Sequence, residues 1–301
     1  LFKEEKLNSL IDFHADDYAL SQNSVDDIIR LCKEGKLDSI SIIPNLQVFD
    51  SSILKLKKSN NDFPKRIKFS IHLNFMEGKP VSDRRLIPDL VDEKGFFCVS
   101  WGKLLIWNYN LLKRKKIKEQ LVREISAQIE KCIKSGVSDI EALRIDSHQH
   151  PHMIPIFKEA IFEAIKEKNY QVEYIRNTND PISFYKKSKC EKTNFSNILK
   201  CLILNHYSKG FSKILKANNL PDSYLCGVYY SGKMDERIEN ALPIFNGEAK
   251  KHNRKFELLF HPGTMLKEEL TQEFTKEGFV EFHLSKNRNI EYSMCKNMKR
   301  N

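Results

Sequence analysis

The chain has 301 residues, of which 50 are Lys or Arg and 40 are Asp or Glu, so its formal net charge is +10. A hydrophobic share of 41% with 30% charged residues is too apolar for a disordered chain and too charged for a membrane protein. The seven Cys are widely spaced and include no CxxC pair. This spacing argues against a disulfide framework or a zinc ribbon and favours reduced thiols in the cytoplasm.

Short β-like runs alternate with amphipathic helical patterns along the chain. The β-like runs lie at 10–13, 39–43, 67–71, 142–145, 171–175, 225–230 and 256–260. Helices are expected at 25–32, 51–58, 112–133, 154–164, 234–245 and 266–276. Ser24 is the expected N-cap of the first helix. Residues 78–110 are expected to be rich in loops.

Alternating strands and helices predict parallel βαβ units, and about seven of them favour a closed or distorted (β/α) barrel over an open doubly wound sheet. Neither GxGxxG nor GxxxxGK[ST] is present, which argues against a nucleotide site. We expect one α/β domain over residues 1–301. The Lys- and Asn-rich segment 183–225 is expected to be a helical insertion or lid.

The positive charge is compatible with nucleic acid, an anionic surface or an anionic small molecule as partner. The basic residues are mostly interleaved with acids, which favours a solvated lysine-rich surface. We therefore expect neither a nucleic-acid nor a membrane partner. The surplus of lysine instead favours an anionic small substrate.

Polar, chemically capable residues follow four of the β-like runs. In a parallel barrel the carboxyl ends of all strands meet at one mouth, so these residues are expected to converge. The four groups are His14-Ala15-Asp16-Asp17, His72-Leu73-Asn74, Asp146-Ser147-His148-Gln149-His150-Pro151-His152 and His261-Pro262-Gly263. One carboxylate and two imidazoles on a divalent metal, with positions open for water and substrate, form a typical hydrolytic site.

The same motifs, in the same order, resemble the YdjC-like carbohydrate deacetylases, a family that includes chitooligosaccharide deacetylases. The resemblance rests on the ADD motif at Asp16-Asp17, on HxN at His72 to Asn74, on DSHxHxH from Asp146 to His152, and on His261-Pro262. It implies a distorted TIM-like barrel related to the NodB-type polysaccharide deacetylases, and a homodimer. It also implies removal of an acetyl group from an N-acetylated sugar, which the surplus of lysine favours in a phosphorylated or otherwise anionic form.

The resemblance also implies roles for individual residues. One divalent metal, Mg or Zn, would be bound by Asp17, His72 and His148, with Asp16 as general base and His261 as general acid. Asp146 is expected to orient a ligand histidine, and Arg176 to keep Asp16 ionised or to contact the substrate. The remaining motif residues, Asn74, His150 and His152, are expected beside the metal or the substrate.

The chain departs from the family at His14, where Asn is usual, and in the longer insertion at 183–225. Two alternatives stay open. The same barrel site could hydrolyse a phosphoester or a cyclic amide, reactions that often use two metals. A basic module built on Lys113-Arg114-Lys115-Lys116 and the Lys-rich segment 183–225 could instead bind nucleic acid or acidic glycan, although this leaves the convergent His and Asp residues without a role.

Overall fold

A computed structural model describes residues 10–138, 142–274 and 276–299. Its centre is a sheet of seven parallel strands in the order β5-β4-β3-β2-β1-β7-β6. The strands are β1 (Ile11–Tyr18), β2 (Ser39–Ile42), β3 (Lys68–Leu73), β4 (Leu143–Ser147), β5 (Val172–Ile175), β6 (Ser223–Cys226) and β7 (Lys255–Phe260). All seven predicted strands are therefore present, with shifts of a few residues at their ends.

The sheet curls into a half-barrel, because its two edge strands approach each other. Asn179, just beyond β5, forms a parallel bridge with Tyr224 of β6, and the Leu225 N–H donates to the Asn179 carbonyl at 2.8 Å. Across the interior, the Tyr174 hydroxyl of β5 donates to Glu257 of β7 at 2.8 Å. The predicted distorted α/β barrel is confirmed in this incompletely closed form.

Helices cover the outside of the sheet and the barrel mouth. They are α1 (Gln22–Lys33), α2 (Phe49–Ser59), α3 (Trp101–Tyr109), α4 (Leu111–Lys134), α5 (Pro155–Lys168), α6 (Ile182–Lys187), α7 (Phe195–Ala217), α8 (Leu242–Lys251), α9 (Glu277–His283) and α10 (Asn287–Asn297). Helices α6 and α7 lie in the segment expected to be a helical insertion. None of the helices that the structure describes is both long and apolar enough to cross a bilayer.

Several local expectations are wrong. The N-cap of α1 is Ser21, whose side chain accepts from the Ser24 N–H, while Ser24 bonds back to Ser21 in a capping box. Helix α3 lies inside the segment expected to be loops, and the helix expected at 266–276 is reduced in its described part to a short 3-10 turn, Lys267–Glu269. Leu112, expected in the apolar stripe of the long helix, is 95% exposed.

Candidate active site

A local distortion of β1 directs two adjacent carboxylates into one site. In a regular strand, neighbouring side chains point to opposite faces of the sheet. Asp17 has a φ of +66°, and the pairing of β1 with β2 shifts register between Ala15 and Tyr18. A left-handed residue at a bulge re-aims its side chain at a cost of about 1–3 kcal/mol. Both Asp16 and Asp17 thereby face His72 of β3, at 3.8 and 3.6 Å from its Nε2.

Asp17, His72 and His148 form the cluster that the sequence predicts. The Asp17 Oδ1 lies 2.9 Å from the His148 Nδ1 and 3.6 Å from the His72 Nε2. All three side chains are buried, and their ligand atoms lie close enough together to hold one metal ion. A carboxylate with two imidazoles suits a divalent transition metal and leaves coordination positions free.

Each imidazole of this cluster has a carboxylate on its other nitrogen. The His72 Nδ1 lies 2.5 Å from Asp146 Oδ1, and the His148 Nε2 lies 3.2 Å from Glu77 Oε2. Glu77 in turn lies 2.8 Å from the His283 Nε2 of α9. Such partners set the orientation of a ligand imidazole and raise its basicity. Asp146 thus stands where the sequence predicts, whereas Glu77 and His283 were not predicted.

The electrostatics of the cluster favour bound positive charge. Burial by itself would lower the pKa of His72, but Asp16 and Asp146 raise it to about 10. Burial would likewise raise the pKa of Asp17, yet His148 and Arg288 hold it well below its usual range. A site that binds cationic charge this readily can take a metal in place of protons on its imidazoles.

Arg176 forms a bidentate ion pair with Asp16. Its Nη1 and Nη2 donate to the two Asp16 oxygens at 2.9 and 2.7 Å, and Nη2 also lies 3.1 Å from Asp146 and 2.6 Å from Glu257. Burial alone would raise the pKa of Asp16, but Arg176 first, and then His72 and His14, hold it well below its usual range. The bidentate contact with Arg176 favours the ionised form of Asp16, which is one of the two roles expected of Arg176.

His14, the residue that departs from the family pattern, is fully buried behind Asp16. Its Nε2 lies 3.0 Å from Asp16 Oδ1 and 2.7 Å from the Ser41 hydroxyl, and its Nδ1 lies 2.6 Å from Ser39. The Ser41 hydroxyl also donates to Asp146 at 2.5 Å. His14 therefore belongs to a buried polar network that supports Asp16 from the side away from the pocket.

His261 faces Asp16 across the mouth and is held by the last helix. Its Nε2 lies 4.0 Å from Asp16 Oδ2, and its Nδ1 lies 3.3 Å from Glu291 Oε2, which also accepts from the His261 backbone N–H at 2.6 Å. One turn earlier in α10, Arg288 donates to Asp17 Oδ2 at 2.9 Å. Helix α10 thus supports both a candidate ligand and the candidate acid, and no sequence motif marked either of its residues.

A pocket of about 230 Å³ opens over these groups. Its walls are Asp16, His72, His148, Gln149, His150, Asn197, Lys200, Ser231, His261, Gly278, Phe279 and Phe282. Helix α7 contributes Asn197 and Lys200, so the predicted insertion forms one wall of the site. The Lys200 ammonium has no hydrogen bond or ion pair with any residue that the structure describes.

Three residues were expected beside the metal or the substrate, and only one of them lines the pocket. His150 lines the pocket, and its burial lowers its pKa well below the usual value. His152 lies behind the pocket with its Nδ1 2.5 Å from the Ser147 hydroxyl and its Nε2 3.0 Å from the Arg176 carbonyl. The Asn74 side chain instead closes a tight turn, accepting from the backbone N–H groups of residues 76 and 77 at 2.9 and 3.2 Å.

Comparison with known proteins identifies the family of this chain. The profile of the YdjC-like protein family matches residues 10–299. Relatives named carbohydrate deacetylase include those of Vibrio cholerae, 27% identical over 52% of this chain and 54% of the relative, and Clostridium beijerinckii, 27% identical over 54% and 59%. The chain therefore spans little more than half the length of these relatives.

A solved structure gives an independent comparison of the fold. It is a protein of Enterococcus faecalis named as a candidate cellobiose-phosphate cleavage protein, with a TM-score of 0.61, 19% sequence identity and coverage of 95% of this chain and 94% of its own. At that identity the likeness shows a shared fold. Since the family profile covers nearly the whole sequence, this chain belongs to the YdjC-like protein family.

Proposed function

We propose that this protein is a metal-dependent hydrolase that removes the acetyl group from an N-acetylated sugar. One observation carries the proposal: the cluster of Asp17, His72 and His148 adjoins Asp16, and the His261 Nε2 lies 4.0 Å from Asp16 Oδ2 at the same pocket. The relatives named carbohydrate deacetylase support the acetylated sugar as substrate. Their alignments cover about half of the chain, so the activity is inferred from the site as well.

The donor set fits one divalent metal, Mg or Zn. Asp17, His72 and His148 would hold it, with Asp146 and Glu77 orienting the two imidazoles. When bound, the metal would supply Lewis-acid polarisation of the acetyl carbonyl and a lowered pKa for a water beside it. Imidazole ligands favour zinc, whereas the single carboxylate gives magnesium less than it usually takes.

Two protein groups at the pocket, Asp16 and His261, would divide the proton transfers. Asp16, ionised by its pairing with Arg176, would accept a proton from the attacking water. His261 would donate a proton to the departing amine, which is a poor leaving group without one. The backbone and ring of His261 are both held by Glu291, so the donor nitrogen keeps its direction toward the pocket.

The pocket walls support an anionic sugar. Lys200 lines the pocket and forms no close ion pair with a described residue; burial lowers its pKa, and the more distant Asp16 and Asp17 counteract this effect. A neighbouring pocket, which shares Asn197 and Ser231, is lined by Lys192 and Lys233. An unpaired ammonium next to a binding pocket favours a phosphate or carboxylate on the ligand. The phosphorylated sugar in the name of the structural neighbour agrees with this choice.

A second candidate metal cluster favours a different reaction, the hydrolysis of a phosphoester or a cyclic amide. Glu77, His148 and His283 also lie close enough together to hold a metal, and they share His148 with the first cluster. Two adjacent metals would suit hydrolysis of a phosphoester or a cyclic amide. Counting metal per chain by elemental analysis distinguishes the two, because the deacetylase proposal expects one tightly bound ion and the alternative expects two.

The test is an acetate assay on N-acetylated mono- and oligosaccharides, each with and without a phosphate group. We expect release of acetate and a free amine in equal amounts, loss of both after chelation, and recovery when Zn or Mg is restored. Release of phosphate without acetate would favour the alternative reaction. No acetate from any sugar of the panel with the metal-loaded protein would contradict the proposal.

A further inference from the structure

The excess of positive over negative charge lies in two segments, 95–118 and 192–221. Together they hold eleven Lys and Arg and no Asp or Glu, whereas the rest of the chain holds 39 of the 50 Lys and Arg and all 40 Asp and Glu. The remainder is therefore close to neutral, and these two segments account for the net charge of +10. The expectation that basic and acidic residues are interleaved does not hold here.

The same two segments expose most of the large apolar side chains that lie on the surface. Of the described residues, eight exposed large hydrophobics fall within them: Ile106, Tyr109, Leu111, Leu112, Phe195, Leu199, Leu202 and Ile203. Leu111 is 87% exposed, Leu112 95% and Phe195 78%. Only four others, Leu54, Leu86, Leu266 and Ile290, are found elsewhere in the described chain. Clustered exposed apolar side chains mark interaction sites, whereas single ones do not.

These side chains form one surface, which we call the basic apolar face. Along α7, residues 195, 199, 202 and 203 recur at the spacing of one helix face. Tyr207 continues that face, and its side chain lies beside Tyr109 at the corner between α3 and α4. Leu111 and Leu112 open α4 at this corner, where the Asn110 side chain accepts from the N–H of Leu112 at 3.1 Å. A rigid cap thus holds the two leucines outward.

Several of the cations around this face lack acidic partners. Arg114, Lys116 and Lys118 are paired with Glu159, Asp89 and Glu163 at 2.7, 2.7 and 2.6 Å. Lys113 and Lys115 of α4, and Lys209 and Lys213 of α7, form no ion pair with any described residue. These side chains offer positive charge beside exposed leucine, isoleucine and phenylalanine.

We propose that the basic apolar face docks this protein on an anionic lipid bilayer. Aliphatic side chains that insert at the boundary between head groups and acyl chains, with lysines around them, are the pattern of interfacial binding. Each lysine near an anionic surface adds attraction that salt screens. A second copy of the chain is disfavoured as occupant, because it would bring two faces free of acids together. Nucleic acid is disfavoured, because aliphatic side chains give bases little to stack on.

The face borders the pocket, so docking would place the pocket mouth near the bilayer. Helix α7 exposes Phe195 and Leu199 on one side and contributes Asn197 and Lys200 to the pocket on the other. At the start of α3, the Trp101 indole N–H donates to the carbonyl of the pocket residue Gln149 at 2.9 Å. An amphiphilic substrate anchored in the membrane would then reach the site without leaving the lipid surface.

Co-sedimentation of the full chain with vesicles tests the proposal. We expect binding to phosphatidylcholine vesicles that contain about one quarter phosphatidylglycerol, weaker binding at about 0.5 M salt, and little binding to pure phosphatidylcholine. The double variant Leu111→Gln/Leu112→Gln should lower the partition coefficient by about tenfold or more. The matched control, Leu54→Gln/Leu86→Gln, removes two leucines that are 61% and 53% exposed outside the face and should bind as the wild type does.

Two charge-reversal variants, one on the face and one outside it, test the electrostatic part of the proposal. Lys113→Glu/Lys115→Glu should weaken binding to anionic vesicles about tenfold or more, while Lys250→Glu/Lys251→Glu, with the same charge change on α8, should weaken it less. The proposal would be overturned if either control variant lowered vesicle binding as much as the variant on the face does. It would also be overturned if the wild type did not bind anionic vesicles at low salt. A wild-type dimer that the leucine variant dissociates without any lipid binding would overturn it as well, as would binding to RNA alone. None of these readouts depends on the deacetylase reaction, so either proposal can fail without the other.

Discussion

Arg176 binds both carboxylate oxygens of Asp16, at 2.9 and 2.7 Å, although the two residues are 160 positions apart in the chain. The pair lies at the wall of the pocket beside the cluster of Asp17, His72 and His148. A carboxylate fixed in this way stays ionised and keeps a constant direction toward the pocket. Asp16 is not one of the three proposed metal ligands. A mutation can therefore remove the proposed base without removing a ligand.

The substitution Asp16→Asn should abolish turnover and preserve metal binding. The amide keeps the size of the side chain but cannot accept a proton from water, so kcat should fall by about 10²–10⁴. The three proposed ligand side chains are unchanged, so the metal Kd from isothermal titration calorimetry should shift by less than about threefold. Near-normal acetate release by this variant would place the base elsewhere.

Metal affinity should depend in a graded way on the ligands and on Glu77. His148→Gln removes a ligand and should prevent stoichiometric binding, while Glu77→Gln should weaken the metal Kd by about 10–100-fold. His206→Gln, a substitution of an exposed histidine on α7, is the matched control and should change neither value. An unaltered Kd in Glu77→Gln would show that the contact with the His148 Nε2 does not orient the ligand.

Glu291 should act on catalysis only through His261. Loss of its carboxylate in Glu291→Gln leaves an amide oxygen for the His261 N–H but removes the charge beside Nδ1, so kcat should fall about tenfold while KM changes little. His261→Ala should cost more, about 10²–10³ in kcat. Adding Glu291→Gln to His261→Ala should then have little further effect, as a double-mutant cycle requires of coupled groups. Additive losses would contradict this coupling.

Lys200 should discriminate between plain and phosphorylated sugars. Lys200→Met removes the ammonium and keeps most of the apolar stem, so KM should rise about tenfold for a phosphorylated sugar and little for its plain counterpart. Lys209→Met, on the same helix outside the pocket, is the control. The same rise for both sugars would assign Lys200 to packing or to another contact.

Acid should destabilise the fold partly through His152. Burial lowers the pKa of His152 to about 3, with a smaller contribution from Arg176. A folded pKa below the unfolded value of about 6.5 means that the stabilisation is present above pH 6.5 and is lost as the pH falls toward 3. Between pH 7 and pH 5, the wild type should lose about 2 kcal/mol more of its unfolding free energy than His152→Gln does.

Urea denaturation at the two pH values measures this difference. His206→Gln, whose side chain is exposed, should follow the wild type at both pH values. An equal loss of unfolding free energy between pH 7 and pH 5 in the wild type and in His152→Gln would mean that folding leaves the pKa of His152 unchanged. The hydrogen bonds to Ser147 and to the Arg176 carbonyl, both of which suit a neutral ring, argue for the expected result.

The elements predicted from the sequence are those that a short stretch of residues marks by its own pattern. The alternation of β-like runs with helical patterns predicted the parallel strands, and the rule that strand ends converge predicted that the four polar groups meet at one mouth. The choice of Asp17, His72 and His148 among those groups came from the resemblance to the family. The helix signals failed where tertiary packing outweighs local pattern. Leu112 fits the apolar periodicity of α4 but lies beyond the core, and no helix was predicted where α9 and α10 lie.

The amino-acid sequence by itself determined the alternating α/β order, the residues at the mouth and the excess of positive charge, because all three are properties of residue type and spacing. Only the tertiary structure decided how β1 turns Asp17 toward the site, and which distant groups support it. Glu77, His283, Arg288 and Glu291 reach the site from elements whose spatial neighbours depend on strand order and helix packing. It also decided which leucines stay outside, because exposure depends on what packs above a residue rather than on the residue itself.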